Sequence, residues 1–73
     1  MRNMQQKRIE TALNKISSDN VIVEFETVFM NTRKILPDRF NKIQDIFSKY
    51  HVKIDAIGID SYGYIYLDLV EVS

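Results

Sequence analysis

Residues 57–67 read Ile57-Gly58-Ile59-Asp60-Ser61-Tyr62-Gly63-Tyr64-Ile65-Tyr66-Leu67. Two apolar arms flank a short polar break that ends in glycine. The three-residue loop Ser61-Tyr62-Gly63 fits a type I turn followed by a left-handed glycine, the G1 bulge of β-hairpins. That loop would pair Asp60 with Tyr64, Ile59 with Ile65, and Ile57 with Leu67. Side chains alternate between the faces of a strand. Ile57, Ile59, Ile65, Leu67 and Leu69 then share one strongly apolar face, and Ala56, Gly58, Tyr64 and Tyr66 take the other. Turn chemistry and apolar pattern agree on a hairpin.

Extended outward, the same register meets a conflict. It pairs Lys53 with Glu71 on the apolar face and sends Val52, Ile54, Val70 and Val72 to the far face. Either a bulge near Asp55 or Leu69 re-aims the strand ends, or the far face is also partly buried. The second option needs a cover. Two helices are too few for both faces of three strands, so a partner subunit would have to supply it.

Upstream, "PDRFNKIQDIFSKYH" (37–51) carries Phe40, Ile43, Phe47 and Tyr50 at spacings of three and four, the apolar stripe of a helix. Pro37 suits a first helical position, and Asp38 complements the positive end of the helix dipole. Residues 3–17 read as another amphipathic helix, with Ile9, Leu13 and Ile16 on one side. "VIVEFETVF" (21–29) alternates with period two and reads as one strand, with Val21, Val23, Phe25, Thr27 and Phe29 pointing one way. Residues 30–36 read as irregular, with a short strand at 33–36. The expected fold is α+β, a two-layer α/β sandwich in the order helix–strand–helix–strand–strand. Two helices would cover one face of a three-stranded sheet, and residues 1–73 would form a single domain.

The 73 residues contain no cysteine. That excludes disulfides and thiolate metal sites. A chain of this size buries only about 60% of its unfolded surface, which raises the expectation of self-association. No apolar run is long enough to span a membrane, and the polar start lacks the apolar core of a signal peptide, so a cytoplasmic location is expected. The Ile-, Asn- and Lys-rich composition is that of an AT-rich coding sequence, of the kind common on phages and mobile elements. Net charge is zero, a poor footprint for a duplex DNA binder. Its distribution is uneven: residues 1–51 carry nine Lys/Arg against six Asp/Glu, a balance of +3, and residues 52–73 carry one against four, a balance of −3.

Catalytic constellations are scarce. His51 is the sole histidine and has no nucleophile motif beside it. Glu24 and Glu26 would share a strand face, where a solvated pair is the simpler reading. Two glycines cannot build a phosphate-binding loop. Tyr62-Gly63-Tyr64-Ile65 resembles the middle of an RNA-recognition-motif strand, but over those four residues only. Asp60 and Ser61 stand where that motif has a basic residue and glycine, and Leu67 where it has an aromatic, so the family is not assigned.

The sequence therefore leads to a small non-enzymatic interaction module without a metal or cofactor, most simply a homodimer. Its expected contact residues are Tyr62, Tyr64 and Tyr66, with Ile54, Val70 and Val72 if the far face is covered. Tyrosine suits such surfaces because it buries a large area with one polar handle. A foreign protein partner is the second occupant of that face. The rival reading is a nucleic-acid-binding regulator using Arg2, Lys7, Arg8, Lys15, Arg33 and Lys34.

Overall fold

In the computed structural model, which describes residues 3–72, strands β3 (Val52–Ile59) and β4 (Ile65–Glu71) pair antiparallel across the Ser61–Gly63 loop. Gly63 takes φ 84° and its N–H donates to the Asp60 carbonyl at 3.0 Å. The Asp60 N–H donates to the Tyr64 carbonyl at 2.9 Å. Asp60 Oδ1 accepts the N–H groups of Tyr62 and Tyr64 at 2.8 and 2.9 Å, so the aspartate organises the turn as well as entering it. Ile59 pairs with Ile65 and Ile57 with Leu67, as the turn dictates.

The register shifts between Ile54 and Ala56, which leaves Asp55 as the extra residue of a bulge. Beyond it Ile54 pairs with Leu69 and Val52 with Glu71. The bulge rotates Val52 and Ile54 onto the face of Leu67 and Leu69. Val52 is buried and Ile54 packs against the core. Ile54 therefore leaves the far face on which an unbroken register would place it, while Val70 stays there, exposed. The switch of apolar side is resolved by a bulge and needs no covering subunit.

Residues 21–29 do not form the single strand that their period-two pattern predicts. They form a hairpin of two short strands, β1 (Ile22–Glu24) and β2 (Thr27–Phe29), turning at Phe25-Glu26. Two-residue hairpin loops call for positive φ in the turn, normally from glycine or asparagine. Here Phe25 takes φ 53° and is 76% exposed. The turn inverts the side-chain parity: Val21, Val23, Val28 and Met30 are all buried, whereas an unbroken strand would set Val28 and Met30 opposite Val21 and Val23. Burying both pairs, and donating the Leu69 N–H to the Glu26 carbonyl at 2.7 Å, outweighs a left-handed phenylalanine that costs about 1–2 kcal/mol.

Among the described residues the sheet thus has four strands, not three, in the spatial order β1-β2-β4-β3, every neighbouring pair antiparallel. Element order is helix–strand–strand–helix–strand–strand. No strand forms at 33–36. Instead the chain continues the β2–β4 pairing, with the Met30 N–H donating to the Ile65 carbonyl and the Ile65 N–H to the Thr32 carbonyl.

Helices α1 (Asn3–Ile16) and α2 (Pro37–Lys49) pack on one side of this sheet. Ile9 and Leu13 of α1 meet Ile43 and Phe47 of α2 over Val23, Val28, Leu67 and Leu69 in one core. Pro37 opens α2 next to an extended Leu36. His51, at φ 58°, ends it and hands the chain to β3. Asp19 and Arg39 tie the C-terminal end of α1 to the start of α2 by an ion pair of 3.2 Å. Gln5 Nε2 donates to the Tyr50 carbonyl at the opposite ends of the two helices, which therefore run antiparallel.

Candidate interaction surface

Both helices lie on one face of the sheet, so among the described residues the other face has no second layer. Cross-strand pairing defines its surface. Ile22 pairs with Phe29, Phe29 with Tyr66, and Tyr66 with Gly58, a single row crossing all four strands. The Phe29 and Tyr66 rings are tilted at 43° with centroids 6.4 Å apart. The tyrosine ring continues over Gly58 and fills the space that a Cβ there would take. Gly58 is needed for this close approach, not for an unusual backbone.

The next row is polar. Glu24, Thr27, Asp68 and Ala56 follow one another across the strands, and Thr27 Oγ1 donates to Asp68 Oδ1 at 2.8 Å. Glu26 sits in the β1–β2 turn rather than beside Glu24, so the paired carboxylates do not form. Val70 pairs with Lys53 beyond, and Val72 follows β4, half exposed. The open face is thus an apolar centre of Ile22, Phe29 and Tyr66, a hydrogen-bonded polar row, and a valine margin.

The expected tyrosines have separate roles. Tyr66 belongs to the open face. Tyr64 is covered by the Arg33 guanidinium, whose Cζ lies 4.6 Å from the ring centroid. The same guanidinium donates through Nε and Nη2 to the Tyr62 carbonyl at 3.2 and 3.0 Å, clamping the hairpin tip. Tyr62 projects from the tip, largely exposed. Ile22 and Phe29, the outer part of the apolar row, escape a reading that takes 21–29 as one strand, because that reading sets them on opposite faces.

A groove of about 530 Å³ lies between the helices. Lys7, Arg8, Lys15 and Lys49 rim it, and Ala12, Ile16 and Tyr50 help to line it. Lys7 also pairs with Glu10 at 3.6 Å. Three of the basic residues expected to contact phosphate meet here and are joined by Lys49. Arg33 serves the hairpin tip instead. Lys34 follows it in the same loop, and Arg2 lies outside the described residues. His51 is exposed at the α2–β3 junction, where its carbonyl accepts the Val72 N–H at 2.8 Å. Among the described residues no group of three His, Asp or Glu could hold a metal ion, and no helix is long and apolar enough to cross a membrane. No family model, no curated protein and no solved structure matches the chain.

Proposed function

We propose that the chain is a small, non-enzymatic interaction module that self-associates through its one-sided sheet. The observation that carries this reading is the row Ile22–Phe29–Tyr66: apolar side chains aligned across three neighbouring strands on the face that no helix of the described residues covers. Exposed contiguous apolar surface of this kind marks interaction sites, and aromatic residues dominate their energetics. Zero net charge removes the repulsion that would otherwise oppose association of identical chains. The test is the solution mass by light scattering over a range of concentrations, for wild type and for Tyr66→Glu checked for folding by circular dichroism. The expected mass of the wild type rises above the 8.6 kDa of one chain, and the substitution lowers it. A wild type that stays at one chain throughout refutes self-association.

A second reading, binding of nucleic acid, is supported by the four cations that rim the α1–α2 groove. It requires affinity for a labelled oligonucleotide that falls steeply with salt, because phosphate contacts release counterions. Lys7→Ala/Arg8→Ala/Lys15→Ala would then abolish that binding. Anisotropy that does not change at low salt removes this reading.

A further inference from the structure

The two edges of the sheet are treated differently. On β1, three of the backbone groups that face away from β2 are taken up by α1. Asn14 Oδ1 accepts the Val21 N–H at 2.9 Å, Asn14 Nδ2 donates to the Val21 carbonyl at 3.0 Å, and Glu10 Oε2 accepts the Val23 N–H at 2.9 Å. One asparagine amide imitates a neighbouring strand, and the glutamate extends the imitation. An exposed edge is a template for pairing with another chain, and here α1 closes it.

The β3 edge has no such cover at its distal half. The Ile65 N–H and carbonyl bond to the Thr32 and Met30 side, and the Leu69 N–H to Glu26. Odd-numbered residues of β4 therefore turn toward β2. Their partners Ile57 and Ile59 occupy the non-bonded positions of the β3–β4 ladder, which aims their own N–H and C=O groups outward. Among the described residues nothing bonds to them. Their side chains are 57% and 67% exposed. They lie on the helix-side face, beyond the end that α2 covers.

We infer that a second copy of this chain pairs antiparallel along β3, with the two-fold axis at Gly58. This rests on the self-association reading above and gives it a geometry, side by side rather than face to face. The edge is complementary to itself. Ile57 of one copy stands opposite Ile59 of the other, so four backbone hydrogen bonds form and four isoleucines gather on the helix-side face. Asp60 meets Ala56 and Asp55 meets Ser61, so no like charges oppose. Gly58 meets its counterpart, with the two Tyr66 rings flanking the seam. Two apolar rows then become one, running Ile22–Phe29–Tyr66–Gly58 and back across eight strands. A segment of a foreign protein could satisfy the same edge groups, but the Ile57/Ile59 match under two-fold symmetry is a property of this sequence. Because α1 seals β1, assembly by strand pairing stops at two.

The test compares solution mass for three proteins. Wild type reaches a plateau near twice 8.6 kDa. Ile57→Lys/Ile59→Lys, on side chains that the single chain leaves exposed, falls to one chain with its circular dichroism spectrum retained. Ile22→Glu/Val70→Glu, on the open face but away from the seam, separates the two geometries: it keeps the mass of two if the β3 edges pair and falls to one chain if the open faces meet. A wild type of one chain overturns both the edge and the self-association reading. Face substitutions that split the dimer while edge substitutions do not overturn the edge alone. A mass that grows without a plateau overturns the closed pair. The register has its own check, since the chain lacks cysteine: Ile57→Cys mixed with Ile59→Cys oxidises to the mixed disulfide in preference to either variant alone. Directly opposed bonded residues lie about 5.5 Å apart at Cα, inside the disulfide range of roughly 4.4–6.8 Å.

Discussion

Gly58→Ala should change sign with its background. A Cβ at Gly58 would stand 2.6 Å from Tyr66 Cε2 and closer still to the ring's far end. An ordinary carbon–carbon contact is about 3.5–4.0 Å, so the ring must swing by at least about 1 Å. Forcing the ring off its rotamer costs about 0.5–1.5 kcal/mol. Loosening its contact with Phe29 forfeits part of an aromatic pair worth about 0.5–1.5 kcal/mol. Against these, replacing a strand glycine by alanine stabilises by about 0.5–1 kcal/mol. The net expectation is a loss of about 1 kcal/mol, or a Tm lower by roughly 4–8 °C for a domain of this size. In a Tyr66→Ala background the obstacle is gone, and the same substitution should stabilise by about 0.5–1 kcal/mol. The coupling between the sites is then about 1.5–2 kcal/mol, well above the error of additivity between independent sites. Urea denaturation of the four proteins, at concentrations low enough that light scattering gives one chain for each so that association does not contribute, measures the cycle. If Gly58→Ala has the same effect in both backgrounds, Tyr66 does not rest on Gly58 and the description of the open face fails.

Other substitutions probe the remaining devices. Asn14→Ala removes both bonds to Val21 and should cost about 1–2 kcal/mol by urea titration, from hydrogen bonds worth about 0.5–1.5 kcal/mol each; an unchanged midpoint would mean that α1 does not seal β1. Phe25→Gly relieves a left-handed phenylalanine whose side chain is largely exposed, and should raise stability by about 1 kcal/mol; a lower Tm would show that the ring packs or binds something. Leu67→Ala empties the fully buried centre of the core and should cost about 2–5 kcal/mol, enough to leave much of this small domain unfolded at 37 °C; a loss below about 1 kcal/mol would contradict its burial.

The hairpin of residues 57–67 was legible because its instructions are local. Gly63 supplies the left-handed residue, Asp60 supplies the turn acceptor, and the arms alternate from there. The helices were legible for a similar reason: Ile9/Leu13/Ile16 and Phe40/Ile43/Phe47 repeat at the helical period, and Pro37 marks a start. The open face was legible in part, since Tyr66 and Val70 follow from the hairpin register. Ile22 and Phe29 did not, because nothing in Glu24-Phe25-Glu26-Thr27 signals a turn. The period-two pattern runs through it unbroken, and only the burial of Val28 and Met30 against the rest of the core makes a left-handed phenylalanine acceptable. The bulge was half legible. Its need showed in the switch of apolar side, but its place at Asp55 depends on α2 covering Val52 and Ile54. The sealing of β1 depends on tertiary placement alone. Asn14 and Glu10 read as ordinary polar positions of an amphipathic helix, and they become edge caps only when the fold lays α1 along a strand 7 and 13 residues away in the chain. Sequence by itself thus determined what neighbouring residues enforce on one another, and tertiary structure decided which strand edge was closed and which was left open, because that depends on contacts between segments whose local patterns carry no trace of each other.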